Sequence, residues 1–592
     1  MNIAFDSYHK YDEICAFLQD CVREYPELCR IECTGKSFQG REILMLEVTG
    51  RATGPGEDKP GVYADGNTHA GEITGAEVIL YTIKMLLEGY GKDPKITGLV
   101  DTRVFYFIPR IAVDGSEYYL TTPHMLRSSM HPWPEEADDK PGLYSDDVDG
   151  DGKILQMRVK DPDGKWKVSK KDARLMVRRR PDELPAPGRA ASVGGATGAD
   201  GLADPGIVYY DVYPEGFVKE YDPDMPVKPA PGKYRLDFNR QYPANWELPA
   251  RQPGSGEYPF AEPEMKAIGD FCLAHPNIAT TMAYHTSAGV VLRPLCTKGD
   301  RELDQNDLAI YQAIAEIAQE ITGYPTKSVF ESMTYDPQKP PVGSHLEWVY
   351  ETLGVLAFET ELWDMRARAG IPWRTPQQMR ALPEKDREED GLKLLKWQDE
   401  KLEGKLFNNW RPFNHPQLGE VEIGGWEPKM GRQNPPVSLL EEECKKNAEF
   451  NLTRASIAPR LVIEKAAAEV LADGVYKIEA VVKNEGYLAT NVTAQAIKMK
   501  QAKPVKVTLE GATTRVGSAV TGVATTEGVA PCPAFIVSGK AEQEIGHLGG
   551  RAGGGDIKAK LTWVVRAAKG SKVTVVARTP RAGKAKAEVL LG

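Results

Sequence analysis

From the first fifty residues to about residue 120, strand-like and helix-like segments follow one another in close alternation. That rhythm restricts the chain to an α/β architecture with a largely parallel sheet. A helix over Tyr11–Glu24 leads into a hairpin of Cys29–Gly35 and Arg41–Val48 around Lys36-Ser37-Phe38-Gln39-Gly40. Gly61 to Asn67 reads as a short buried strand closed by a turn. The next segment places Ile73, Ala76, Val78, Leu80, Ile83 and Leu86 at helical spacing. The stretch 128–233 breaks the rhythm: it is rich in Pro, Gly, Asp and Arg and reads as a long insertion. The pattern resumes with a strand at Tyr234–Phe238, a helix near Glu262–Ala274, a strand at Ala279–Tyr284, a helix over Asp304–Ile321 and a strand at Val355–Glu361. A charged helix at 383–403 and a Pro-rich connector at 411–436 precede a last helix, Ser438–Thr453.

After residue 455 the period changes. Val475–Lys483, Val492–Lys498, Val505–Leu509, Asp556–Val565 and Lys572–Arg578 are short alternating segments parted by Gly, Asn and Lys turns. They predict an all-β sandwich. The expected organisation is therefore a mixed, mainly parallel sheet flanked by helices over 1–455, interrupted by the insertion, and an accessory β-sandwich over 456–592. A chain of 592 residues is too long for one core, and its 41% hydrophobic and 27% charged residues fit an ordinary soluble globular protein. The net charge of −10 argues against a nucleic-acid partner, and no apolar run is long enough to span a bilayer. Cysteines at 15, 21, 29, 33, 272, 296, 444 and 532 form no Cys-x-x-Cys pair and are too sparse for a disulfide framework. With no signal peptide visible, the expected compartment is the cytoplasm, or a secreted or periplasmic location if the true start lies upstream.

His69-Ala70-Gly71-Glu72 follows the Gly61–Asn67 strand and opens the Ile73–Leu87 helix. Residues three apart on a helix share a face, so His69 and Glu72 can converge on one metal ion. Zinc in hydrolases takes three protein ligands of this kind and keeps a position open. Strand ends open onto the cleft of an α/β sheet, and of the nine histidines His285, just after Thr280–Tyr284, has that placement. His124, His131, His275 and His345 lie in loops or beside prolines.

Together these pieces resemble the zinc metallocarboxypeptidases of the carboxypeptidase A type, from residue 5 to about 365. Phe5–Pro26 with Gly35-Lys36-Ser37 and Gly40-Arg41 resembles the family's opening helix and hairpin. The resemblance implies one Zn²⁺ held by His69, Glu72 and His285. Ala112-Val113-Asp114-Gly115 stands where the family has Asn-Pro-Asp-Gly, departing at two positions, and Arg127, twelve residues beyond Gly115, falls at the oxyanion-polarising arginine. Asn239 and Arg240, within Asp237-Phe238-Asn239-Arg240, resemble the pair that grips the substrate's terminal carboxylate. Phe358-Glu359-Thr360-Glu361-Leu362 resembles the segment carrying the catalytic glutamate. Glu359 also fits that role by chemistry; the family's Glu-Leu ending favours Glu361. Tyr335 is the candidate for the mobile tyrosine, although it lies farther from Trp348 than the family pattern places it. Leu346 stands at the position that tunes side-chain preference and hints at an apolar pocket.

The implied function is a zinc exopeptidase acting on peptide or protein C-termini. Two rivals remain: a zinc amidase or peptidoglycan-stem peptidase on the same fold, and a non-catalytic pseudo-peptidase. Within the insertion, Asp147, Asp149 and Asp151 with Gly152 and Ile154 resemble the first part of a calcium loop, but the twelfth position is Arg158 rather than Glu. A structural Ca²⁺ site and a solvated acidic turn are the two readings.

Overall fold

A computed structural model describes residues 3–592 apart from 134–139, 181–182, 184–195, 198–202, 205–206, 517–518, 523–533 and 554. An eight-stranded sheet runs in the order Cys29–Lys36, Glu42–Val48, Val104–Ile108, Gly61–Gly66, Ile278–Thr286, Leu356–Leu362, Val290–Arg293, Thr326–Ser328. The four middle strands are mutually parallel, and antiparallel pairings join the flanking strands on either side. The sheet is mixed and mainly parallel, as the alternation predicts.

Gly61–Gly66, Val104–Ile108 and Ile278–Thr286 are buried at every residue. Such strands read as continuous apolar runs because helices cover both faces. Val437–Ile457 packs against Thr74–Gly89 and Gln305–Thr322, and Pro263–Ala274 packs against Cys29–Lys36. Buried Arg454, on the first of these helices, donates to Thr280 Oγ1 and the Tyr63 carbonyl, so it clamps two central strands from behind.

Three local expectations give way. Tyr234–Phe238 is not a strand: Tyr234 makes one isolated bridge to Trp133, and Phe238–Arg240 forms a 3-10 turn. The connector at 411–436 contains a hairpin, Phe407–His415 with Gly419–Trp426. Pro412 is tolerated there because Phe407–His415 is an edge strand, where a missing N–H breaks no necessary ladder bond. That hairpin joins four short strands of the insertion, Gln156–Lys160, Tyr209–Pro214, Trp166–Val168 and Met176–Arg178, in a six-stranded antiparallel sheet. The sheet is laced by charge as well as by apolar contact: Arg158 pairs with Glu422 at 2.9 Å and lies over the Trp410 ring at 4.7 Å.

The third correction is Val492–Lys498, which is a short helix, Ala494–Lys498, rather than a strand. Thr493 accepts from Ala496 N, and Asp307 accepts from Ala494 N and Gln495 N. These caps outweigh the β-propensity of the segment.

The remaining C-terminal segments form two sheets. One runs Leu461–Ala472, Val475–Asn484, Lys558–Ala567, Ala534–Ser538, Ala512–Val516, Ala519–Gly522. The other runs Glu542–Glu544, Lys506–Glu510, Ser571–Thr579, Gly583–Leu591. Burial alternates along Val475–Asn484, and Ile478, Trp563, Val507 and Val575 share one core between the sheets. Buried Arg581 donates to the carbonyls of Leu353 and Gly354, tying this part to the strand that carries Glu361 through its preceding turn. Among the described residues no helix is long and apolar enough to cross a membrane. The seven described cysteines are free; Cys532 lies outside the described residues.

Candidate active site

His69 and Glu72 sit in the turn between the strand Gly61–Gly66 and the helix Thr74–Gly89, not on the helix itself. The turn is closed by Glu72 N donating to His69 O at 3.1 Å. His285 is the penultimate residue of the next strand, Ile278–Thr286, and pairs in register with Glu361 on the strand beyond. Sheet order alone thus brings the turn, His285 and Glu361 to one edge.

There the donor atoms converge. His69 Nδ1 and His285 Nδ1 are 3.0 Å apart, and Glu72 Oε2 lies 2.9 Å from each. All three side chains are buried. A tetrahedral Zn²⁺ with bonds of about 2.0–2.1 Å spaces its donors a little over 3 Å apart, so the set fits. The tautomer fits as well. His69 Nε2 lies 3.0 Å from Asp237 Oδ1, so it carries the proton and leaves the Nδ1 lone pair facing His285. Burial works against protonation of His285, but the Glu72 carboxylate overrides it and pushes the imidazole up to about 10. Burial likewise opposes ionisation of Glu72, and the two histidines overcome it and hold its carboxyl far below the usual range. A cluster that favours positive charge this strongly is one a divalent cation satisfies by displacing protons.

Asp237 also fixes Arg127. Arg127 Nε donates to Asp237 Oδ2 at 3.0 Å and Nη1 to Glu72 Oε1 at 3.2 Å, with the guanidinium edge open to the cleft. Ala70 N donates to Arg127 O at 2.7 Å, which places the arginine chain directly along the ligand turn. Gly115 makes that approach feasible: a Cβ there would lie 2.2 Å from Ser128 O and 2.7 Å from Ala70 Cβ. Neighbouring Asp114 accepts from Ser37 Oγ, Gln39 N and Arg41 Nη1, tying the opening hairpin to the same spot. Gly115→Ala is expected to lower stability by about 1–3 kcal/mol through overpacking, read as a drop in Tm. An unchanged Tm would mean that the Ser128 segment yields freely.

Asn239 and Arg240 follow in the 3-10 turn that Asp237 caps. Asn239 Oδ1 accepts from His345 N at 2.8 Å, which fixes the amide. Arg240 donates to the Asn239 carbonyl and pairs with no carboxylate among the described residues, although it lines the cleft. Glu359 is engaged: Leu346 N (3.3 Å) and Asn239 Nδ2 (3.4 Å) both donate to its Oε1. Glu361 has no hydrogen-bond partner in the described structure and faces the same cleft. Burial, and after it the charge of Glu72, push the Glu361 carboxyl up to about 7; a cation on the ligand cluster would draw it back down.

The cleft lined by His69, Glu72, Arg127, Asn239, Arg240, Glu359 and Glu361 has a volume of about 1190 Å³. Tyr335 lines it at the rim, 62% exposed, with Arg380 over its ring at 5.0 Å. Leu346 is fully buried and contributes no surface to the cleft.

Asp147, Asp149 and Asp151 bring carboxylate oxygens within 4.8 Å of one another, but their other contacts give the calcium reading no support. Arg411 pairs with Asp149 and, at 2.7 Å, with Asp151, so the counter-charge is a guanidinium. Asp147 accepts from Gly150 N and Gly152 N, both at 2.8 Å, as in an ordinary acidic turn. Arg158, at the position where a calcium loop needs its bidentate glutamate, turns to Glu422 instead.

Two contributors escaped the sequence reading. Asp237 was visible within Asp237-Phe238-Asn239-Arg240, but nothing local says that its carboxylate reaches back to His69. Asn434 comes from far along the chain: its Nδ2 donates to Gly71 O at 2.8 Å and its Oδ1 accepts from Thr74 Oγ1 at 2.9 Å, so it braces the ligand turn.

The family model described as zinc carboxypeptidase matches residues 14–147 and 220–389, and one for a domain of unknown function matches 460–590. A zinc carboxypeptidase of Saccharothrix mutabilis subsp. capreolus is 36% identical over 118 residues, 20% of this chain and 27% of that protein. Carboxypeptidase B of Astacus astacus is 33% identical over 123 residues, 21% of this chain and 38% of that protein. The matched stretch thus spans well under half of either relative's length. Among solved structures, thrombin-activatable fibrinolysis inhibitor aligns with a TM-score of 0.42 at 15% identity, covering 76% of this chain and 74% of that one.

Proposed function

The chain belongs to the zinc carboxypeptidase family, and from that premise we propose that it hydrolyses the C-terminal peptide bond of peptides with a free terminal carboxylate. The observation that carries this reading is the Arg240 guanidinium, without a carboxylate partner among the described residues, in the same cleft as His69 and Glu72 of the ligand cluster and as Glu361, which has no hydrogen-bond partner among those residues.

His69, Glu72 and His285 would hold Zn²⁺, which would supply the Lewis acidity for activating water near neutral pH and polarising a carbonyl. Arg240 and the Asn239 amide grip the terminal carboxylate through charge-assisted hydrogen bonds, which sets the last peptide bond against the ligand cluster. Glu361 takes the proton of the attacking water on a carboxylate oxygen and delivers it to the departing amine nitrogen. Arg127, pinned by Asp237, offers a fixed positive charge to the oxyanion that develops on the scissile carbonyl. Asp237 is a positioning residue, holding the His69 ring and the Arg127 side chain at once. Tyr335 contacts the substrate at the rim.

An amidase-like activity would not use a carboxylate anchor, and a pseudo-peptidase would not need the full ligand set with a free base beside it. Neither rival is favoured by the residues in the cleft. Arg240→Ala is expected to raise KM about 100-fold, the size of a lost charge-assisted contact, with kcat reduced far less. An unchanged KM would place the substrate carboxylate elsewhere.

A further inference from the structure

A second cavity, of about 600 Å³, opens beside the cleft between the inserted sheet and the segment that follows the Glu361 strand. That size lies within the range of ligand sites. Its wall and that of the catalytic cleft share one residue, Ser287, two positions after His285. Asn239, Arg240 and Glu361 line the cleft and take no part in the chamber.

The chamber is cationic in a chain whose net charge is −10. Five arginines line it (174, 366, 374, 387 and 432) against one acid, Asp364. Arg174 is neutralised by Asp172 and Asp399. Arg366 and Arg374 share a single carboxylate, Asp390, behind the wall. Arg387 spends its bonds on the carbonyls of Met379, Arg380 and Leu382 and meets no carboxylate among the described residues. Arg432 has no carboxylate partner there either, and its neighbour Gln433 approaches the ligand turn at Gly71. Trp373 and Trp410 add flat apolar surface between the charges. Unneutralised guanidiniums on a half-buried wall are a receptor for carboxylates.

We propose that this chamber is a distal subsite for acidic side chains on the part of the substrate that precedes the scissile bond. The inference rests on the carboxypeptidase reading: with the terminal carboxylate at Arg240 and the scissile carbonyl at the ligand cluster, the preceding residues leave on the side away from the clamp. Ser287, in the walls of both cavities, is the residue at which the chamber adjoins that path. The preference is therefore set at a distance, by arginines that follow the Glu361 strand and face the insertion across the chamber, not in the pocket for the departing residue.

The test compares two peptides with one C-terminal residue and with Glu or Gln two to four residues before the scissile bond. The zinc-loaded wild type is expected to favour the Glu peptide about tenfold in kcat/KM, the lower end of what a charge-assisted contact contributes, because this wall is partly open to water. Arg387→Gln and Arg432→Gln should abolish that preference while the Gln peptide is cleaved within about twofold of the wild-type rate. The two variants act separately, so a folding defect from losing the Arg387 carbonyl bonds leaves the other to decide. Equal rates for the two peptides in the wild type, or an equal loss on both in the variants, overturns the proposal. If the wild type hydrolyses neither peptide, the carboxypeptidase reading falls first. Calorimetric binding of a C-terminally amidated tri-glutamate peptide then judges the chamber alone: affinity lost in the arginine variants sustains it as an acidic-peptide site, and no binding overturns it.

Discussion

Glu361→Gln is expected to lower kcat by about 10²–10⁴-fold, the contribution of a positioned general base, and to leave zinc content at one ion per chain. The amide keeps the shape of the side chain but cannot take a proton from water. Because Glu361 has no hydrogen-bond partner among the described residues, the exchange strands no buried donor or acceptor. The sign of the stability change is set by its pKa, raised on folding to about 7. A carboxyl raised in the folded state weakens the fold as pH climbs past its unfolded value and toward the folded one. In the metal-free protein at pH 8, Glu361→Gln therefore melts no lower than the wild type, and the loss of rate cannot be assigned to unfolding. Glu359→Gln should behave differently, since Glu359 accepts from Leu346 N and Asn239 Nδ2: it is expected to disturb the clamp and raise KM more than it lowers kcat. If Glu359→Gln removes the rate and Glu361→Gln retains it, the base is Glu359.

Removing the metal is the second large effect. Chelation is expected to abolish hydrolysis, and stoichiometric Zn²⁺ to restore it, because among the described residues no other group in the cleft can both activate water and polarise the carbonyl. Stability should move in parallel. A cation present at about 1,000 times its Kd stabilises the fold by roughly 4 kcal/mol, so the chelated protein melts at a visibly lower temperature. His285→Ala removes one of three donors and should lose both the bound zinc and the zinc-dependent rise in Tm. Full hydrolysis by chelated protein, with zinc shown absent by elemental analysis, would contradict the assignment of the cluster.

Much of the frame was legible because its signals are local. The buried strands at Gly61–Gly66 and Ile278–Thr286 show as short stretches with β-branched and aromatic residues such as Val62, Tyr63, Ile278 and Tyr284, and the helices Tyr11–Glu24 and Gln305–Thr322 show by their 3.6-residue spacing. His69 and Glu72 could be paired from their spacing, although a turn and not a helix face brings them together. The insertion was opaque for a physical reason. Its strands are two to six residues long and are stabilised by pairs such as Arg158–Glu422, which leave no period-2 apolar trace. The partner hairpin was hidden by Pro412 and Pro416, which count against a strand unless it lies at an edge. Asp237 and Asn434 were hidden because their importance is entirely tertiary: each is an unremarkable polar residue until the fold sets it against the ligand turn.

The central claim is that the cleft anchors a free carboxylate and cuts the bond next to it. The most direct measurement is mass spectrometry of a mixed peptide library, half with free and half with amidated C-termini, after incubation with the zinc-loaded protein. The account predicts sequential loss of single C-terminal residues from the free peptides, an untouched amidated set, and no products in the presence of a chelator. Internal cleavage, or equal processing of the amidated peptides, would contradict it.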